Sequence, residues 1–256
     1  MSVELHNLRV MAVDGGTATG KGRLIDELAA IMRLKGIPVI HVSTGSLYRA
    51  VALAAIDAAS EQVPARADMD AATLSHAALE YVREMSAEKL LELAHARTIE
   101  MHGGEVWMDG APVHVDDQLK GPAVGTGASI VARVIPVREF EKDITRRQVN
   151  EFDGFVLIDG RAIAHETVPE APLKLMLSVS PEVAATRSRE HSLEEIVARD
   201  ERDRNRPVGA LRHPDNPGDG VRVVATDHHT PESLRDEVYE MLRETFPELL
   251  EIRPEA

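Results

Sequence analysis

The chain has 256 residues, 43% of them hydrophobic, enough to bury a sizeable core as one large α/β domain with insertions or as one and a half domains. Asp and Glu number 43 against 29 Lys and Arg, and the resulting charge of −14 argues against a non-specific grip on nucleic acid or an anionic membrane. There is no cysteine for a disulfide or a thiolate metal site. No apolar run approaches the ~18 residues that span a bilayer, so the expectation is a soluble, cytoplasmic protein working as a monomer, without a nucleic-acid or membrane partner.

Apolar residues from Leu8 to Val13 predict a short buried strand that ends at Asp14. A glycine-rich turn follows from Gly15 to Gly20, and then a helix with Leu24, Leu28, Ile31 and Met32 on one face. Gly36-Ile-Pro breaks that helix, and Val39 to Val42 makes a second strand leading into Ser43-Thr-Gly45 and another helix. Alternating strands and helices point to a parallel sheet covered by helices. A polar, proline-bearing stretch from Gln62 to Met69 marks the edge of an inserted lobe. Two helices are expected there, Ala71 to Tyr81 and Ala87 to Ala96, followed by a small antiparallel meander over Thr98 to Val115 with a tight Asp109-Gly110 turn. Gly121 to Gly127 reads as loop, and Val137 to Asn150 as a charged helix.

Two continuous apolar runs, Phe155 to Asp159 and Leu173 to Val179, return the chain to the core as strands buried on both faces. Pro181 and Ser192 open two further helices, the second with Glu194 and Glu195 in its first turn. Val221 to Ala225 is the last strand, and Thr230-Pro231 starts a C-terminal helix.

The chemistry concentrates at the first strand-to-helix turn. Gly15, Gly16, Thr17, Ala18, Thr19 and Gly20 precede Lys21, Gly22 and Arg23, which is a phosphate-binding loop in its proper setting, strand before and helix after. Small residues let backbone N–H groups turn inward around an anion, and the helix N-terminus adds positive potential. Lys21 adds a mobile full charge that can follow a phosphoryl group. Gly22 stands where Ser or Thr more often holds magnesium.

Asp159, at a strand end, is a candidate to hold Mg²⁺ through water, or else half of a turn-forming Asp-Gly pair. Arg199, Arg202 and Arg206 fall at i, i+3 and i+7 with Asp203 among them. Such a helix is either a solvated salt-bridge face or a set of arginines brought over a phosphate. His213, His228 and His229 have no metal-ligand spacing and read as surface histidines.

Taken together these pieces resemble the bacterial cytidylate (CMP/dCMP) kinases, a family of P-loop nucleoside monophosphate kinases. The matching motifs are Asp14-Gly-x4-Gly-Lys-Gly22, Thr44-Gly-x-x-Tyr-Arg49, Ala128-Ser129 with Pro136-x-Arg-Glu139, Asp159-Gly-Arg161, and Arg199-Asp-x-Arg-Asp-x-Asn-Arg206-Pro. The resemblance implies a three-layer α/β fold with a five-stranded parallel sheet, in which 1–60, 150–190 and 213–256 form the core, 61–149 an NMP-binding insertion and 191–212 a short lid. It implies transfer of the γ-phosphoryl of ATP–Mg²⁺ to CMP or dCMP. By the same resemblance Gly15 to Arg23 bind the ATP phosphates, and Lys21, Arg199 and Arg206 are catalytic. Arg49, Arg161 and Arg206 would hold the acceptor phosphate, Arg199 and Asp203 would reach the ribose, and Ser129 and Arg138 would face the base.

The chain also departs from the family pattern. Ser43 replaces a usual Asp, Arg23 a usual Thr, and Arg161-Ala-Ile-Ala-His165 a usual Arg-Asp-x-Gly-Thr, while the segment from Arg189 to Glu194 is short. These changes keep open a same-fold kinase for a different or modified nucleotide or other small acceptor, and a nucleotide-binding protein without turnover.

Overall fold

A computed structural model describes residues 3–64, 70–113, 118–119, 121–188 and 192–250. The expected features at residues 65–69, at Val115 and at Arg189 lie outside the described residues. The chain packs as two compact units, one of Val3–Val42 with Arg146–Ala256 and one of Ser43–Thr145.

The larger unit is built on a five-stranded sheet. Its strands are β1 (Val10–Gly15), β2 (Val39–Ser43), β6 (Phe155–Gly160), β7 (Leu173–Ser178) and β8 (Val221–Ala225), in the order β2-β6-β1-β7-β8. β1 runs parallel to β6 and β7, and β7 parallel to β8. All six residues of β1 are buried, as expected for a central strand covered on both faces. On one face Met11, Val13, Leu157 and Leu175 pack under α1 (Lys21–Leu34) through Leu24, Ile25, Leu28 and Met32. α9 (Pro231–Thr245) joins the same cluster with Leu234, Val238 and Leu242. β1 starts two residues later than the apolar run suggests, because Leu8 is 52% exposed and Asn7 instead ties the entry down, its amide donating to the carbonyls of Val149, Phe152 and Gly154.

Two more helices complete this unit. They are α7 (Pro181–Arg187) and α8 (Leu193–Arg204). α8 begins with a capping box, Ser192 accepting from the Glu195 amide and Glu195 from the Ser192 amide. Between β6 and β7 the chain makes one π-helical turn, Ile163–Thr167, which periodicity does not foresee.

The smaller unit centres on α2 (Thr44–Ser60), packed against α3 (Ala71–Glu84), α4 (Ala87–Ala96) and α5 (Pro122–Val131). The meander is present as β3 (Glu100–His102), β4 (Glu105–Met108) and β5 (Ala111–Pro112), all antiparallel, with left-handed Asp109 and Gly110 at its turn. α6 (Ile135–Glu151) runs from this unit into the larger one. The expected loop at Gly121 to Gly127 is a correction: Gly121 is the N-cap of α5 and the six residues after it are helical, with Pro122 in the first turn. Of the glycines here, Gly127 admits close packing, whereas Gly125 faces open space. A Cβ placed on Gly127 would stand 3.0 Å from Ala52 Cβ and 3.3 Å from Ile56 Cδ1 of α2.

Gly127→Val should therefore overpack the α2–α5 contact and cost about 1–3 kcal/mol. Thermal unfolding of that variant should show a lower Tm, by about 2–4 °C per kcal/mol for a chain of this size.

Candidate active site

The phosphate loop leaves β1 at Gly15. A side chain there would meet the Leu177 carbonyl of β7 at 2.7 Å, so the close approach of two strands requires glycine. The turn is closed by two left-handed residues, Ala18 (φ 55°) and Gly20 (φ 91°). Gly20 caps α1 without a side-chain hydrogen bond, and the first turn of α1 holds no acid to compete for its amides.

Lys21 folds back over this loop. Its Nζ donates to the carbonyls of Gly15 and Gly16, each at 2.8 Å, and lies 3.3 Å from Thr19 Oγ1. Burial drives its pKa down to about 7, and the neighbouring Arg161 adds to the fall, while Asp159, Asp200 and Asp14 oppose it. Asp14 is buried beside it and carries the π-turn, accepting from the amides of Ile163 (2.7 Å) and Ala164 (3.0 Å). Burial raises the Asp14 pKa to about 6 against the pull of those two hydrogen bonds, Lys21 and Arg161.

Arg161 links the loop to α8. Its Nη1 donates to the carbonyls of Gly15 and Gly16, and its Nε to Asp203 Oδ2 at 2.7 Å. Asp203 is buried, and its other oxygen takes Arg206 Nη2 at 2.5 Å. Two guanidinium groups on one carboxylate satisfy the condition for keeping a charge buried. Arg206 lies beyond the end of α8, so it arrives by the C-terminal turn and not, as the i+7 spacing proposes, by the helical face. Arg199 is half-buried on the helix, whereas Arg202 is exposed and bonds back to the Ala198 carbonyl, outside the cluster.

Asp159 stands at the end of β6 with His41 Nε2 3.2 Å from its Oδ1, and His41 Nδ1 lies 3.1 Å from Asp26. Burial alone would lower the His41 pKa, but the two carboxylates outweigh it and leave it raised. Arg23 is exposed and paired with Glu27 at 2.8 Å. Gly22 lies in the first turn of α1, between Lys21 and Arg23. Beyond Ala18, Thr19 and Gly20 opens a cavity of about 450 Å³, also lined by Arg187, Thr226 and His229. Arg187 is fixed on its wall by Thr226, donating to the hydroxyl (2.9 Å) and the carbonyl (2.6 Å).

The smaller unit holds the remaining three expected residues. Arg49 donates to the Leu119 carbonyl at 2.9 Å, and Ser129 lies 3.4 Å from the Gly125 carbonyl. Arg138 is buried, 5.7 Å above the Tyr48 ring. Tyr48 in turn donates to Glu141 at 2.9 Å.

Three contributors were given no role by the motifs: His41 lies outside them, while Asp14 and Asp200 stand within them unassigned. Asp200 had a signal, since it stands at i−3 from Asp203 and so shares its face of α8. His41 had a weaker one, a polar residue at the carboxyl end of an otherwise apolar strand.

A parallel sheet with this loop at the end of its central strand, and arginines gathered over the loop, defines a nucleoside monophosphate kinase of the P-loop class. The sequence profile described as cytidylate kinase matches residues 11–244. Curated relatives include the cytidylate kinase of Methylobacterium sp. (strain 4-46), 34% identical over 81% of this chain and 85% of its own. That of Nitrobacter winogradskyi is 34% identical over 79% and 82% of the two chains. The cytidylate kinase of Caldanaerobacter subterraneus is 26% identical over 93% and 96%. The chain belongs to the cytidylate kinase family, and it is an enzyme.

The lowered Lys21 pKa has a consequence for folding. The unfolded chain keeps that proton up to about 10.5 and the folded chain only to about 7, so between these values the unfolded state binds more protons and stability rises with pH. Lys21→Met should therefore raise Tm relative to the unaltered chain at pH 7, with the gain shrinking toward pH 10, as followed by thermal unfolding across that range.

Proposed function

We propose that this enzyme moves the γ-phosphoryl of ATP onto the phosphate of CMP or dCMP, giving CDP or dCDP. The observation that carries the reading is the convergence of Lys21, Arg161 and the Asp203–Arg206 pair on the carbonyls and carboxylates around Gly15 and Gly16. Phosphoryl transfer asks for positioning and charge compensation more than for covalent chemistry, and the acceptor phosphate oxygen is already ionised, so no strong general base is needed. In this reading the backbone from Gly15 to Arg23 holds the donor phosphates. Lys21 leaves the loop carbonyls to bridge toward the transferred group, and Arg199 and Arg206 screen its equatorial oxygens. Arg161 and Arg206 take the acceptor phosphate, and Asp203 keeps both guanidinium groups in place. The motif match supports Arg49 on that phosphate and Ser129 and Arg138 on the base. The cavity beside Gly20 has the size and position for the donor's base and ribose.

Magnesium fits this set as an ion carried on the nucleotide. Among the described residues no group of three or more histidines or acids could hold a metal, which suits a cation held mainly by phosphate oxygens and water, with Asp159 as one outer carboxylate. Bound there, Mg²⁺ would neutralise charge on the phosphates. We read residues 61–149 as the acceptor-binding insertion and 191–212 as the lid on the core of 1–60, 150–190 and 213–256. No described helix is long and apolar enough to cross a membrane; we read the enzyme as a cytoplasmic monomer. Membership of the family does not favour the alternatives of another acceptor or of lost turnover.

ADP formation from ATP with CMP, dCMP, UMP and dTMP tests the reading. CMP or dCMP should give the highest kcat/KM, and silence with every acceptor would overturn it. Lys21→Ala should stay folded and lose about 10²–10³ in kcat, the scale set by removing one transition-state contact. Ala162 is buried next to Arg161 where the family pattern has an acid. Ala162→Asp should therefore raise the kcat/KM preference for CMP over UMP at least about tenfold, the size of one buried hydrogen bond to the base.

A further inference from the structure

Asp200 makes the most direct side-chain bond between α8 and the phosphate loop. Its Oδ1 accepts from the backbone N–H of Thr17 at 2.9 Å and from the Thr17 hydroxyl at 2.8 Å. Its other oxygen lies flat against Gly16, where an added Cβ would be only 2.2 Å from Oδ2. Glycine at 16 is thus what lets the carboxylate reach the backbone. One turn along the same face, Asp203 makes the second tie through Arg161 to the carbonyls of Gly15 and Gly16. The helix is held to the loop at two points, one on a donor and one on acceptors of the same short stretch.

We propose that Asp200 is a positioning residue that latches α8 onto the first turn of the phosphate loop. By its two bonds to Thr17 it fixes where Arg199 and, through the helix end, Arg206 stand relative to the donor phosphates. With Arg161–Asp203 as its one remaining side-chain tie to the loop, α8 still packs on α7 through buried Ile196 but can tilt about Asp203, which moves Arg199 while leaving the Asp203–Arg206 pair intact. A displacement of about 1 Å in a group that meets the transferred phosphoryl is enough to cost ~10²-fold in rate. Because Asp200 works by placing groups that act in the transition state, its loss falls on kcat rather than on donor binding.

This inference rests on the kinase reading above, so its test has one arm that needs no turnover. Hydrogen exchange of the intact chain should show faster exchange at Thr17 and along α8 in Asp200→Ala than in the unaltered protein, with the sheet unchanged. In the kinetic arm Asp200→Ala should lower kcat about 10–10²-fold, with KM for ATP within about threefold. Asp200→Asn keeps an oxygen that accepts from Thr17 and should restore most of kcat. Thr17→Val removes the hydroxyl, and its effect should not add to that of Asp200→Ala in the double variant. The proposal is overturned if exchange is unchanged, if Asp200→Asn is as damaged as Asp200→Ala, or if the two losses are additive. A fall in KM for ATP in Asp200→Ala would overturn it too, since the carboxylate would then be competing with the donor phosphate rather than placing the helix. Absence of turnover in the unaltered protein, with the exchange pattern as expected, would remove the kinase reading and leave the latch.

Discussion

The carbonyl groups of Gly15 and Gly16 turn toward cations, and most of the site follows from that orientation. A loop that aims its N–H groups at an anion must aim some of its carbonyls the other way, and buried carbonyls need donors. Here the donors are Lys21 and Arg161, one from the helix that follows the loop and one from the neighbouring strand end. The loop's shape and the position of its two cations are therefore a single problem with one solution. Because Arg161 also reaches Asp203, the orientation of two backbone carbonyls is passed on to α8.

Charge balance sets the second layer. Asp14 is buried and Lys21 half-buried in this cluster, and loss of solvent pushes both toward their neutral forms, Lys21 down to about 7 and Asp14 up to about 6. Neither would stay ionised alone. Lys21 is sustained by Asp159, Asp200 and Asp14, and Asp14 by two backbone amides together with Lys21 and Arg161. In the loop the Lys21 ammonium touches neutral oxygens, the carbonyls of Gly15 and Gly16 and the hydroxyl of Thr19, while the carboxylates act on it from further away.

The π-turn after β6 belongs to the same economy of charges. Asp14 bonds the amides of Ile163 and Ala164, so an acid at the end of one strand organises the loop that follows the next. Small residues at 162 and 164 are buried there, and His165 packs 4.0 Å from the Asp14 carboxylate. The departures from Ala162 to His165 thus fall on a segment whose backbone Asp14 holds through Ile163 and Ala164.

The sheet and the loop were legible in the sequence because both are local. Continuous apolar runs such as Phe155 to Ile158 admit little but a strand buried on two faces, and Gly15-x4-Gly20-Lys21 admits little but a turn that binds phosphate. Ser192, with Glu194 and Glu195 in the turn after it, likewise announced the start of α8. The reading failed at Gly121 to Gly127, where glycine signalled a turn by propensity but Gly127 serves close contact with α2, a fact that depends on a partner remote in sequence. The arginines of α8 were visible, but their division was not. Only the tertiary structure separates exposed Arg202 from Arg206, and only it sets Asp200 on Thr17, 183 residues away in the chain. Periodicity specifies which face of a helix a residue shares; what that face meets is decided by how distant elements pack, and hydrogen bonds and ion pairs over that range leave no spacing to read.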